Sequence, residues 1–425
     1  MTSPLQVAGT ACGDDHDPTA ITTDAAKQLI LKNIEPLPVN ASETVSLREC
    51  LDRVLADDIV AVGNVPPYNN AAMDGYALNA AELPERGVKA LHVIGSSFAG
   101  HPFLGLCGKG ECVRIMTGGM LPEGLDTVIP QEHVEVLDEA IVRIDARTAA
   151  GDNVRAAGED IRQGQSILKR GRRINAADLG LIASLGLSEI LVMRRLRVAF
   201  FSTGDELRAV GETLQPGEIH DSNRYTVFGM LRRQHCELTD LGIVRDNPEQ
   251  LRAVLLTAAA QHDVIISSGG VSVGEADYVR QVFQELGEMT FWKVAMKPGR
   301  PLAFGRLQQA WFFGLPGNPV AVMVSFNQFV QAALQRLSGE VVDPPLLFKA
   351  VTSTGLKKRA GRTEYQRGVL NTSSEGKLTV CKTGEQGSGI LTSMSRANCF
   401  IVLPSDSVAV AAGDEVWVQP FAGFL

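Results

Sequence analysis

At 425 residues the chain exceeds what one ordinary hydrophobic core can cover, so roughly two to four domains are expected. A composition of 45% hydrophobic and 21% charged residues is that of a soluble globular protein. The formal net charge of −8 argues against general nucleic-acid binding, which needs a basic surface, so any anionic ligand must be held by local arrangement.

Residues 1–20, with Gly13-Asp14-Asp15-His16-Asp17-Pro18, have the composition of a disordered tail. A helix is expected from about Asp24 and a second from Ser46, where Ser46 and Glu49 have capping-box spacing. Leu47, Cys50, Leu51, Val54 and Leu55 then fall on one face of that second helix. Pro66-Pro67 breaks the pattern and opens a β-rich insert over residues 64–160. Helical periodicity returns with Asn175 as N-cap, Leu179, Ile182 and Ala183 on one face, and Gly186 as stop. The segments flanking the insert, 21–63 and 161–195, are expected to pack together as one discontinuous helical domain.

Across residues 196–341 strand and helix patterns alternate, which predicts a doubly wound, mostly parallel sheet and an α/β multidomain fold class. The strands expected there are Val198–Phe201, Leu238–Val244, Val264–Ile266, Trp311–Phe313 and a pair at Phe291–Ala295 and Leu302–Phe304. Asn247-Pro248-Glu249 reads as an N-cap, a proline at N1 and an acidic first turn. Val279, Val282 and Phe283 mark one buried helix face that Gly287 ends, and a long apolar helix follows Pro319. After Pro344-Pro345 short alternating strands predict a C-terminal β-barrel or sandwich over residues 342–425.

Three small-residue loops in the α/β region, Ser202–Glu206, Ser267–Gly274 and Gly314–Pro319, each leave the carboxyl end of a strand. In an open α/β sheet those ends share one edge, where ligands bind. The middle loop, with Ser267, Gly269, Gly270, Ser272 and Gly274 between a strand and a helix N-terminus, suits an anion. Taken alone, it fits a plain tight connection equally well. It is no Walker A motif, because Glu275-Ala276 stands where Lys-Ser/Thr belongs. Around the same rim lie Asp205, Glu206, Asp246, Glu275 and Asp277, each of which alone reads as a helix cap. Like charges ~4 Å apart repel by roughly 4 kcal/mol near a protein surface, so carboxylates beside a phosphate call for a cation, Mg²⁺ being the usual one.

Lys293, Lys297 and Arg300 form a proline-stiffened basic hairpin suited to a second, compact oxyanion. Arg362 and Arg367 bracket a later strand, and Gly387-Ser388-Gly389 is a glycine-serine turn. No serine sits in GxSxG, and the histidines are dispersed; His220 beside Asp221 is the one near the rim, and it reads as a helix cap more than as a base. The seven cysteines are scattered without a CxxC, which fits a reducing compartment with neither zinc site nor disulfide framework. With no signal-peptide pattern in Met1–Ala20 and no apolar run of ~18 residues, a cytoplasmic location is expected.

From about Thr22 onward the sequence resembles the MoeA/gephyrin E-domain family, the molybdopterin molybdenumtransferases. The resemblance rests on Asn70–Ala77, Arg114–Gly118, Gly158–Ile161, Phe201–Leu207, Ser267–Tyr278, Lys297–Gly299 and Gly314–Pro319. It implies Mg²⁺-dependent insertion of molybdate into adenylylated molybdopterin with release of AMP. It also implies four domains and a homodimer in which the β insert of one chain faces the α/β cleft of the other. Asp74 and Thr117 would then reach the partner's cleft with Asp160 nearby, and Glu206, Asp246 and Asp277 would hold Mg²⁺ and the pterin nucleotide. Thr203, Gly204, Ser267, Gly269, Gly270, Ser272 and Gly274 would line the phosphate side, facing Pro316, Gly317 and Pro319. Lys297, Arg300, Arg367 and Ser388 would receive molybdate; Arg300 stands where bacterial relatives commonly carry lysine. An adenylyltransferase that activates molybdopterin, and a molybdopterin-binding scaffold, are the alternative readings. Molybdopterin adenylyltransferase and molybdoenzyme maturation proteins are the partners in view, with no nucleic acid and no membrane.

Overall fold

The computed structural model describes residues 19–270 and 278–421, so the tail, Ser272, Gly274, Glu275 and Asp277 lie outside the described residues. The chain divides into two compact units. One takes in the described residues up to Glu43, Asp52–Val54 and those from Met193 on; the other is Thr44–Leu51 with Leu55–Val192.

The second unit carries the insert. Six strands form its mixed sheet, with Gly75–Leu78 between Glu111–Ile115 and Thr127–Pro130. Ala71, Ala77, Val113, Ile115 and Val128 pack one core of this sheet, and Leu78, Cys112, Ile129 and Val142 another. A further core gathers Cys50, Leu55, Ile59, Leu168, Ile182 and Val192 around the helix Ala176–Ser184. That helix has the expected Asn175 cap, and a full capping box with Asp178. Gly186 ends it at φ 76°, but Ala183 is exposed and Leu185 takes its place in the core.

The second expected helix does not form. From Ser46 there is one 3-10 turn, Leu47–Glu49, because the Ser46 hydroxyl donates to Glu49 Oε2 at 2.9 Å instead of accepting a backbone N–H. Asp52, at φ 62°, then turns the chain away, leaving Leu51 exposed. Of the segments flanking the insert, the helix Ala176–Ser184 belongs to the second unit and the helix Thr23–Asn33 to the first. Thr23–Asn33 buries Ala26 and Ile30 in the α/β core of the first unit, among Phe329, Ala333 and Leu337.

In the first unit the main sheet has the strand order Glu237–Val244, Arg197–Thr203, Val264–Ser268, Ala310–Leu315, Pro301–Leu307, Glu288–Lys293. The first four strands run parallel and the last two complete the sheet antiparallel. Its central strands are buried on both faces, which is why they read as apolar runs without alternation. Asn223–Arg233, Pro248–Gln261 and Tyr278–Leu286 are the connecting helices. Val279, Val282 and Phe283 are each no more than 1% exposed, so truncating Phe283 to alanine is expected to cost about 3–5 kcal/mol. Pro319 opens the apolar helix, which runs to Leu337 through a π-helical turn at Phe326–Val330.

The C-terminal strands form a closed barrel, not a sandwich. Thr363–Thr372 pairs with both Leu378–Lys382 and Cys399–Leu403, and the ring closes through Phe348–Thr352 and Glu415–Pro420. Met296–Lys297, from the hairpin of the α/β region, adds to the barrel beside Thr363-Glu364.

Candidate active site

The parallel strands are joined in the spatial order second, first, third, fourth, which places the topological switch between Arg197–Thr203 and Val264–Ser268. Ligands of doubly wound sheets bind in the crevice beyond the strand ends at such a switch. A cavity of about 650 Å³ opens there. Thr203, Gly204, Glu206, Asp246 and Ser268–Gly270 line its α/β side, with Pro316–Pro319 alongside. The other side is Met296–Pro301 together with Arg362 and Gln386–Ser388 of the barrel.

On the α/β side the backbone comes close because it carries no Cβ. Gly269 adopts φ 90° and donates its N–H to the Leu315 carbonyl at 3.0 Å; a side chain there would run into the Thr203 carbonyl. The Thr203 hydroxyl donates to Asp246 Oδ1 at 2.6 Å, joining the ends of two neighbouring strands. Asn223, which opens its helix, donates through Nδ2 to Ser268 Oγ at 2.8 Å and to the Gly317 carbonyl at 2.7 Å. One amide thereby ties the loops after two strands together. Asp221, 1% exposed, accepts from Ser202 Oγ at 3.0 Å, from the Arg224 backbone at 3.1 Å and from Arg224 Nε at 3.0 Å. The helix-cap role thus falls to Asp221. His220 lines the cavity and lies against the Ala209 carbonyl at 3.2 Å.

On the opposite side, Gly299 at φ 101° sits against the apolar helix, where a Cβ would lie 2.6 Å from Ser325 Oγ. That close approach seats the hairpin carrying Lys297 and Arg300. Lys297 Nζ lies 3.4 Å from Glu364 Oε1, whose carboxylate also accepts from Gln366 at 3.0 Å. The loop bearing Gly387 and Ser388 is fastened twice. The Ser388 carbonyl accepts from Val320 N at 3.0 Å, and Arg367 Nη2 donates to the Gly387 carbonyl at 3.0 Å.

Among the residues expected to form the site, Thr203, Gly204, Glu206, Asp246, Gly269, Gly270, Lys297, Arg300, Pro316, Gly317, Pro319 and Ser388 line this one cavity. Two do not. Ser267 is fully buried within the sheet, and its neighbour Ser268 lines the cavity instead. Arg367 is 1% exposed behind the wall, where burial pulls its pKa down to about 10. Asp74, Thr117 and Asp160 belong to the other compact unit. There Asp74 Oδ1 accepts from both the backbone N–H and the hydroxyl of Thr117 at 2.7 Å, which holds its carboxyl below the usual range. Asn223 and Gln386 were not singled out from the sequence. The one signal for Asn223 was its position at a helix start within Asp221-Ser222-Asn223.

Among the described residues, no group of three or more His, Cys, Asp or Glu side chains is arranged to hold a metal. Glu206 and Asp246 nevertheless share the cavity, and Asn223 Oδ1 finds no donor among the described residues. An all-oxygen set that includes two carboxylates and is finished by substrate oxygens fits Mg²⁺.

Fold and cavity define a multidomain α/β enzyme whose crevice meets polar strand-end loops on one side and cations on the other. Comparison with known proteins carries this further. Residues 21–186 match the model of the MoeA N-terminal region (domain I and II), 199–336 that of the "Probable molybdopterin binding domain", and 349–421 that of the MoeA C-terminal region (domain IV). The molybdopterin molybdenumtransferase of Haemophilus influenzae is 42% identical, covering 95% of this chain and all of the relative. That of Nostoc is 34% identical over 89% of this chain and 88% of its own. The crystal structure of the molybdopterin biosynthesis moeA protein from Pyrococcus horikoshii superposes with a TM-score of 0.81, at 27% identity, over 94% of this chain and all of that one. The chain belongs to the MoeA family.

Proposed function

We propose that the protein inserts molybdate into adenylylated molybdopterin and releases AMP in molybdenum cofactor biosynthesis. The observation that carries this reading is a single cavity with two chemically opposite walls, polar and carboxylate-bearing on the strand-end side, cationic on the hairpin side. The names of the relatives, molybdopterin molybdenumtransferases, support the same reaction. In it, the Gly269-Gly270 turn takes the phosphate end of the pterin nucleotide, while Lys297 and Arg300 take molybdate. Glu206 and Asp246, with Asp277 from outside the described residues, would hold Mg²⁺, which would offset the charge of phosphate and carboxylates. Thr203 orients Asp246 by its hydrogen bond. Gly299 seats against the apolar helix the hairpin that carries both cations.

A homodimer with a shared site is part of the proposal, with Asp74 and Thr117 of one chain completing the cavity of the other. Their mutual hydrogen bonds at 2.7 Å, formed in the unit that lacks the cavity, support it. Cytoplasmic location and hand-over from an adenylyltransferase belong to the same reading; no helix of the described residues is long and apolar enough to cross a membrane. The test is release of AMP from adenylylated molybdopterin in Mg²⁺, with and without molybdate. Dependence on molybdate supports the transferase. AMP release indifferent to molybdate, or turnover of ATP in its place, contradicts it.

A further inference from the structure

The apolar helix that opens at Pro319 is held by both sides of the cavity. Near its start Val320 N donates to the Ser388 carbonyl at 3.0 Å, and a Cβ on Gly299 of the hairpin would lie 2.6 Å from its Ser325 Oγ. Further on, Phe326, Phe329 and Val330 share one core with Val264 and Phe313 of the sheet and with Tyr365 and Phe400 of the barrel. Apolar contact is non-directional, so this core holds barrel and sheet together without fixing how far one lies along the other.

Direction enters at the π-helical turn, where Gln331 N–H reaches back five residues to the Phe326 carbonyl. A wider turn leaves a smaller angle between neighbouring side chains than an α-helix does, and Asn327 and Gln328 both meet Gln419 of the barrel strand Glu415–Pro420. Gln328 Nε2 donates to Gln419 Oε1 at 3.1 Å and to Asn327 Oδ1 at 2.8 Å. Gln419 Nε2 donates to the same Asn327 oxygen at 3.0 Å, and Asn327 Nδ2 donates to Gln331 Oε1 at 3.1 Å. Gln328 and Gln419 are 6% and 7% exposed, so a slide of the barrel that parted them would leave buried amides unpaired. None of these four side chains lines the cavity.

We propose that Asn327, Gln328 and Gln419 are positioning residues that set the separation of the two cavity walls. The inference rests on the proposed transferase reaction, in which an oxyanion on one wall must meet a nucleotide on the other. Either anion alone needs one wall, whereas the reaction needs both in register. The test is Gln328→Met/Gln419→Met in the full chain, which keeps side-chain volume and deletes the hydrogen bonds between turn and barrel. Calorimetric titration with sodium molybdate and with AMP is expected to give affinities within about twofold of the wild type. Molybdate-dependent AMP release from adenylylated molybdopterin, at saturation, is expected to fall about tenfold or more. A merely structural role would move the melting temperature and leave the rate of the folded protein alone. Gln419→Met by itself keeps Gln328 bonded to Asn327, and should show the same split to a smaller degree. A folded variant with the wild-type rate, or affinities that fall in step with the rate, overturns the inference while the transferase reading stands. Loss of folding in both variants assigns the network to stability and overturns it too. Wild-type AMP release indifferent to molybdate removes the transferase reading itself.

Discussion

The two walls of the cavity are built by opposite means. On the α/β side the chain brings its backbone to the ligand: strand ends, glycines with positive φ, and short polar side chains that tie one loop to the next. On the barrel side cationic side chains, Lys297, Arg300 and Arg362, join Gly299 and Gly387 in the lining, and Arg367 fastens Gly387 without lining the cavity itself. A backbone wall is fixed by local chain geometry and tolerates little change at its glycines. A side-chain wall depends on distant packing and can be altered one contact at a time. In the proposed function the nucleotide goes to the rigid wall and the small oxyanion to the adjustable one.

The largest expected effect comes from loosening the rigid wall at its root. Asp263, just before the central strand, receives both Arg194 Nη1 and Nη2 at 2.7 Å and the Arg197 backbone N–H at 2.8 Å. Asp263→Asn leaves Arg194 largely unpaired and is expected to cost about 3–5 kcal/mol in denaturant unfolding. Burial by itself would raise the Asp263 carboxyl, yet these donors hold it below the usual carboxylate value. Its folded pKa being depressed, its contribution is present above the unfolded value near 3.8 and is lost as pH falls through the lower folded value. Unfolding curves for the wild type should therefore lose stability below about pH 4 more steeply than those of Asp263→Asn.

Next in size is the charge at the nucleotide end. Asp246→Asn keeps an acceptor for Thr203 and removes the carboxylate, so AMP release should fall about 100-fold with melting unchanged. Gly299→Ala attacks the other wall, forcing a left-handed backbone and a Cβ 2.6 Å from Ser325 Oγ. It should cost about 1–3 kcal/mol of stability and weaken molybdate while sparing AMP, both read by titration. Thr203→Val is the mildest. It deletes one hydrogen bond, about 0.5–1.5 kcal/mol, and should lower AMP release less than Asp246→Asn does.

The rigid wall was also the readable one. Val264–Ile266 followed by glycines, and Asn247-Pro248 ahead of a helix, are local signals. The Val264–Ser268 strand and the Pro248–Gln261 helix follow them closely. Even there the alternation of side chains along one strand exchanged Ser267 for Ser268, a one-residue matter that composition does not reveal. The barrel wall was harder. Arg362 and Arg367 read alike, and only the closed barrel separates them, since Arg367 finds Gly387 and Ser393, 20 and 26 residues away. Ser46 misled for a related reason: its spacing to Glu49 suits a capping box, but the hydroxyl bonds the carboxylate directly and no helix follows.

The central claim is that one cavity seats two anions on two unlike walls. Diffraction from crystals soaked with AMP and sodium tungstate, the metal located by its anomalous signal, tests it most directly. The account predicts tungstate beside Lys297 and Arg300, with the AMP phosphate at Gly269-Gly270. Tungstate lodged at the glycine turn, or AMP lying among the barrel cations, would contradict it.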